Sequence, residues 1–271
     1  MVTAMTSLPG AERGARLTRI LRGAIGASVL IVLAELATRA ELVNPTYLPP
    51  ASSVIGTTAS LLVDVEFLGN VRGTLAAWAI GLGVAIAIGV PLGVLLGSSW
   101  RSYLAATTTI EFLRPIPSVA LIPLAILLIG RGLEMRVALI AFASLWPILF
   151  NTIYGIRDVD PLAKETARAF GFSRAAIVRQ VSLRWALPFI FTGIRISSAI
   201  ALILAISTEL IAGGGPGIGT WMLRHTETGV PRELLYAGIV VAGLLGLLIN
   251  SLMAAGERRL FFWHQRVRGG G

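Results

Sequence analysis

Residues 73–97 pass without a single charged side chain, and so do residues 137–156 and 234–256. A hydrocarbon core about 30 Å thick needs about 20 apolar residues in a helix, so each of these stretches is long enough to cross a bilayer alone. Two more qualify with interruptions. Residues 185–208 contain only Arg195, and residues 102–130 contain Glu111 and Arg114. A sixth, shorter stretch at 23–34 is flanked by Arg19 and Arg22 before it and by Glu35 and Arg39 after it. With 55% hydrophobic and 14% charged residues, against about 45–50% and about 25% in a soluble domain, the chain holds more apolar surface than one soluble core of its size can bury. The expected class is all-α and polytopic, with six transmembrane helices. Simple soluble enzymes, disordered chains and collagens are excluded. There is no cysteine, which removes disulfide frameworks and Cys-ligated metal centres.

The first stretch has the order of a secretory leader, basic then apolar then Ala37-Thr38-Arg39-Ala40. The charge count instead favours a retained helix over about 21–37. With the N-terminus in the cytoplasm and six alternating spans, fifteen of the 23 basic residues fall inside. Six fall outside, at Arg39, Arg72, Arg131, Arg136, Arg224 and Arg232, and Arg114 and Arg195 lie within spans. This is the bias that the positive-inside rule requires. It puts both termini in the cytoplasm, the loop at 157–184 inside, and the loops at 41–71 and 212–233 outside. Trp100, Trp185 and Trp263 then fall at inner boundaries. The division by residue is a first helix with its flanks at 1–66, a core at 67–256 and a basic tail at 257–271.

The inner loop carries legible local chemistry. Asp160 is a good N-cap and Pro161 suits the first helical position. A short helix over 162–170 would end at Gly171 in the C′ role, and Ser173 would cap a second short helix over 174–182. As a pattern, such a loop either lies on an anionic inner leaflet or docks a partner.

The loop resembles the EAA motif of ABC importer permeases. Glu165-Thr166-Ala167 stands for the Glu-Ala-Ala triplet, Gly171 is at the motif's distance, Val181 replaces Ile, Leu183 matches Leu, and Arg184 occupies the place of Pro; Leu187-Pro188 follows. Tyr47-Leu48-Pro49-Pro50, Leu113-Arg114-Pro115-Ile116-Pro117, Leu121-Ile122-Pro123-Leu124 and Gly193-Ile194-Arg195 are similar to the nitrate, sulfonate and taurine branch of that family. The resemblance implies the type I importer permease fold with a cytoplasmic coupling loop at 161–188, in the bacterial inner membrane. It implies docking of an ATPase by Leu162, Lys164, Glu165, Ala167, Arg168, Phe170, Gly171, Phe172, Ser173 and Arg174. It further implies two ABC ATPase subunits, which use ATP and Mg, a second permease copy as a homodimer, an extracytoplasmic substrate-binding protein, and no nucleic acid. No cofactor and no catalysis are expected of this chain, which has no Gly-x-x-x-x-Gly-Lys-Ser/Thr loop. The solute implied is a small anion such as nitrate, a sulfonate or taurine. A vitamin or vitamin precursor is the alternative within the fold, and a secondary transporter or channel the alternative outside it.

Charges within spans cost at least about 2.5–3.5 kcal/mol near mid-bilayer, so each needs a partner or a task. Glu111 and Arg114 are three apart and able to pair at a Pro-induced kink, with Arg114 either scaffold or pathway. Arg195 is expected to snorkel inward as scaffold. Glu209 reads as an interfacial acid near the outer end of its span, able to pair with a base or to help close an outer gate. Gly213-Gly214-Gly215-Pro216-Gly217-Ile218-Gly219 reads as a flexible outer turn. His225 and His264 lack metal-ligand spacing.

Overall fold

The computed structural model describes residues 9–44, 47–227 and 232–261. Trp263, His264 and the basic tail residues Arg266 and Arg268 lie outside them. The described residues form helices α1 (Pro9–Arg39), α2 (Ala51–Leu61), α3 (Val65–Ser98), α4 (Trp100–Leu113), α5 (Ile122–Ile129), α6 (Leu133–Arg157), α7 (Pro161–Ala169), α8 (Arg174–Ile177), α9 (Leu183–Ala212), α10 (Ile218–Glu227) and α11 (Arg232–Leu260). Five segments are long and apolar enough to cross a membrane, and six when the bent pair α4–α5 counts as one.

The centre is a three-helix packing of α3, α6 and α9. On α3, Gly81, Gly89, Gly93 and Gly97 face Ile140, Ile148, Thr152 and Ile156 of α6, with no room for a Cβ at Gly93 or Gly97. Small residues let apolar helices approach closely where lipid supplies no hydrophobic drive. Polar contacts join α6 to α9. Ser197 Oγ donates to the Ser144 carbonyl at 2.6 Å, and Ser144 Oγ returns a longer bond of 3.4 Å to the Ser197 carbonyl. Trp78 of α3 donates to the Ser198 carbonyl at 3.0 Å. Around these atoms Ala77, Ala85, Met135, Ile140, Ile148, Ala201 and Ala205 form a closed core.

Helix α3 starts well before residue 73 because Asp64 caps it, its carboxylate accepting from the Phe67 amide at 2.7 Å. The stretch at 102–130 is broken rather than continuous. Pro115 and Pro117 end α4, and a 3₁₀ turn at Ser118–Leu121 leads into α5 at a bend of 75°. The first stretch is helical through Arg39, but its window is only 6% buried within the chain. It touches α2 through Glu35, whose carboxylate accepts from the Ser52 amide at 3.0 Å and from its hydroxyl at 2.9 Å.

Near α7, the end of α6 packs with α3 and the start of α9 through Ile156, Val94, Ala186 and Ile190, while the first turns of α3 meet the glycine-rich turn and α10.

Candidate functional site

At the α7 end the local predictions hold, with one difference. The Asp160 carboxylate accepts from the Leu162 amide at 2.8 Å. The Gly171 amide donates to the Arg168 carbonyl at 2.9 Å and the Phe172 amide to the Ala167 carbonyl at 3.1 Å. Those two bonds form a Schellman stop, with Gly171 at φ 81°. Ser173 Oγ accepts from the Ala176 amide at 3.3 Å. The difference lies beyond Ile177. The second short helix does not end at residue 182. It passes through a π turn at Val178–Ser182 directly into α9, so that Arg174–Ala212 is one helical segment of 39 residues. Arg184 stands in the place of the motif's proline, and Pro188 lies inside α9 without ending it.

The loop is tied down at its roots and open at its tip. Lys164 Nζ donates to the Ile156 carbonyl at 3.3 Å, satisfying an orphan acceptor at the end of α6. Partial burial, with Arg168 close by, holds that ammonium below the usual lysine range. Trp185 Nε1 donates to Asp158 Oδ2 at 3.2 Å. Leu162, Glu165, Arg168, Phe170, Gly171, Phe172, Ser173 and Arg174 are exposed, while Lys164 and Ala167 are half-buried. Phe170 is 78% exposed and Leu162 is 67% exposed, so apolar side chains stand outward among basic ones.

The charges predicted within spans separate. Arg195 reaches Glu257 at 3.0 Å and Asn250 at 3.2 Å. Glu111 and Arg114 do not pair among the described residues. Arg114 sits at the helix stop, and its guanidinium lies 4.7 Å from the Phe150 ring centroid. Glu209 takes the paired alternative: it is buried within the chain, 3.0 Å from Arg136. Arg136 is no loop cation. It lies in α6, with its side chain 2% exposed.

Around that pair the glycine-rich turn is clamped rather than flexible. Arg136 also donates to the carbonyls of Gly214 at 3.1 Å and Pro216 at 3.0 Å. Glu209 Oε2 accepts from the Thr74 hydroxyl at 2.9 Å and the Gly219 amide at 3.0 Å. Thr74 Oγ1 accepts from the Ile218 amide at 2.9 Å, and Asn70 Oδ1 from the Gly217 amide at 3.1 Å. A Cβ at Gly217 would collide with the Glu209 carboxylate, so only glycine lets this backbone pass. Arg136, Asn70 and Thr74 carry no motif in the sequence. The one available signal was an acid and a base at the margins of two apolar stretches, Arg136 just before 137–156 and Glu209 just after 185–208. Among the described residues no cluster of His, Cys, Asp or Glu is arranged to hold a metal ion. His225 stacks on Trp221 with ring centroids 4.1 Å apart.

Comparison with known proteins adds the family. Residues 89–262 match the family model described as binding-protein-dependent transport system inner membrane component. The chain is 29% identical to a Bacillus subtilis permease described for aliphatic sulfonates transport, over 92% of this chain and 90% of that protein. It is 28% identical to the taurine transport system permease protein of Escherichia coli, over 84% of each. It is 27% identical to a nitrate import permease protein of Synechocystis, over 87% of each. A methionine ABC transporter solved in an inward-facing conformation has the same fold, with a TM-score of 0.63 at 20% identity over 72% of this chain and 95% of that one.

Proposed function

The chain belongs to the family of binding-protein-dependent transport system inner membrane components, and on that premise we propose that it docks an ATPase through α7 and conducts a small oxyanionic solute, sulfonates foremost. The permease role and the multi-pass inner-membrane location follow from the family. The observation that carries the docking assignment is the loop itself. Both short helices are capped at their starts and the stop between them is pinned, yet among the described residues Leu162 and Phe170 stand largely uncovered and Phe172 is partly so. A capped and pinned element that presents exposed apolar side chains among basic ones suits a groove on a partner protein.

The α7 end is taken as cytoplasmic. There Lys164, Glu165, Ala167, Arg168, Gly171, Ser173 and Arg174 form the rim around the apolar tip. Two ATPase subunits need two such loops, so the assembly proposed is a pair of this chain, two ATPases that bind ATP and Mg, and an extracytoplasmic binding protein at the opposite end. The names of the relatives support the solute class. Substitution tests the docking role. Phe170→Asp in the full complex is expected to leave membrane abundance unchanged while the ATPase no longer copurifies. Retention of the ATPase with normal hydrolysis would remove the assignment. A thermal-shift screen of the partner binding protein against sulfonates, taurine and nitrate names the solute.

A further inference from the structure

Helix α6 ends at Arg157, just before the link to α7. The guanidinium carbon of Arg157 lies 4.6 Å from the Trp100 ring centroid and 4.2 Å from that of Tyr103, both at the start of α4. The two centroids are 5.8 Å apart, with 31° between the ring planes. The rings therefore cover adjacent flanks of the guanidinium rather than closing over it from both sides. We propose that Arg157, Trp100 and Tyr103 form a site for the phosphodiester of an anionic phospholipid in the leaflet at the α7 end. The inference rests on the reading above that this end lies at the inner membrane surface. It goes further by assigning a lipid site at the root of the loop, apart from the apolar tip that meets the ATPase.

Three observations carry it. First, the cation has no counterion. Among the described residues no carboxylate comes within ion-pairing distance of Arg157, and none of its N–H groups makes a hydrogen bond. Asp158, the next residue, accepts instead from Trp185 Nε1 at 3.2 Å. A half-buried guanidinium stacked on rings, with its donors unspent, presents the planar fork that fits two phosphate oxygens. Second, the site is built before anything binds. Ser99 caps α4, its hydroxyl accepting from the Ser102 amide at 3.3 Å, and Tyr103 packs against the cluster of Leu96, Ile110, Leu149 and Ile153. A cation already oriented on two rings loses less order when an anion arrives. Third, the surroundings suit a membrane boundary. Trp100 is 62% exposed and Leu104, one turn further along α4, is 53% exposed. That pair supplies an indole for the headgroup level and an apolar rail for the acyl chain beneath it. Arg101 adds an exposed cation beside Trp100, and basic sites between helices at the cytoplasmic side suit anionic headgroups. A free phosphate ion would share the Arg157 chemistry but gain nothing from Leu104.

The test uses the permease with its ATPase, purified in detergent. The probes are phosphatidylglycerol, phosphatidylcholine and inorganic phosphate, read by native mass spectrometry and by Tm. The wild type is expected to hold phosphatidylglycerol at least about tenfold more tightly than phosphatidylcholine, equivalent to about 1.4 kcal/mol. Added phosphatidylglycerol is also expected to raise its Tm. Arg157→Gln is expected to erase both the preference and the Tm rise. Trp100→Ala, at an exposed side chain, is expected to weaken the preference while leaving the lipid-free Tm unchanged, and it carries the test if Arg157→Gln does not fold. The proposal is overturned by equal retention of the two lipids in the wild type, or by a preference that survives unchanged in Arg157→Gln or Trp100→Ala. It is also overturned if inorganic phosphate displaces phosphatidylglycerol and matches its Tm rise, which would make the site one for a soluble anion. Release of the ATPase from Arg157→Gln, with no lipid preference in the wild type, would give Arg157 to the protein interface instead. Phe170→Asp is expected to release the ATPase yet keep the lipid preference, so the docking assignment and this one fail separately.

Discussion

Arg136 and Glu209 form the most consequential pair of side chains in the molecule, since each is buried and each holds backbone as well as the other. Removing one member of a buried pair costs about 3–5 kcal/mol because the survivor is left charged and unpaired. Arg136→Leu is therefore expected to lower membrane abundance and the melting temperature in detergent strongly. The double change Arg136→Leu with Glu209→Leu is expected to recover only in part, because the Gly214 and Pro216 carbonyls and the Gly219 amide stay unsatisfied; abundance and Tm of both variants check this. Arg114 behaves in the opposite way. Lying on Phe150 without a carboxylate partner, it contributes a cation–π contact worth about 0.5–1 kcal/mol at an exposed site. Arg114→Gln is expected to express normally, and adding Glu111→Gln should change nothing further. Rescue of a poorly expressed single variant by the double would restore the ion pair that the sequence suggested.

Among the elements, the short helices were the most legible in the sequence. Their signals are local: Asp160 before Pro161, Gly171 as a stop and Ser173 as the next cap all act within four residues of themselves. The continuity past residue 182 escaped notice because no residue there signals either a stop or a continuation, and the second short helix was expected to end at 182. The glycine-rich turn was misjudged for a different reason. Its partners lie far off along the chain, 73 residues separating Arg136 from Glu209 and 147 separating Asn70 from Gly217, and no window on the sequence joins them. A prediction at this scale concerns Gly171. With φ at 81°, a β-branched side chain there costs about 1–2 kcal/mol in backbone strain. Gly171→Val should still insert in the membrane but redirect Phe172 and Ser173, with loss of ATP hydrolysis stimulated by the binding protein. Full stimulation in the variant would mean that the stop between the helices plays no part in docking.

For the whole molecule, hydropathy and the arginine distribution sufficed to foresee an all-α polytopic chain, because each crossing segment is nearly uncharged over its length. Sidedness can be tested cleanly because the chain has no cysteine of its own. Val63 is 77% exposed beside α2, and Phe172 is 41% exposed beyond α7. In intact spheroplasts a membrane-impermeant maleimide is expected to label Val63→Cys at once, and Phe172→Cys only after lysis. The reverse pattern would invert the topology. The unbroken segment from Arg174 to Ala212 has a mechanical meaning under this topology. Its 39 residues reach about 58 Å at 1.5 Å per residue, well beyond the apolar thickness of a bilayer. Under the proposed docking it is a lever with the ATPase at one end and the clamped glycine-rich turn at the other. Pivoted near one end, a swing of about 5° carries the far tip through about 5 Å, on the order of one helical turn. A displacement of that size would have to be met by the backbone that Arg136 and Glu209 hold in place.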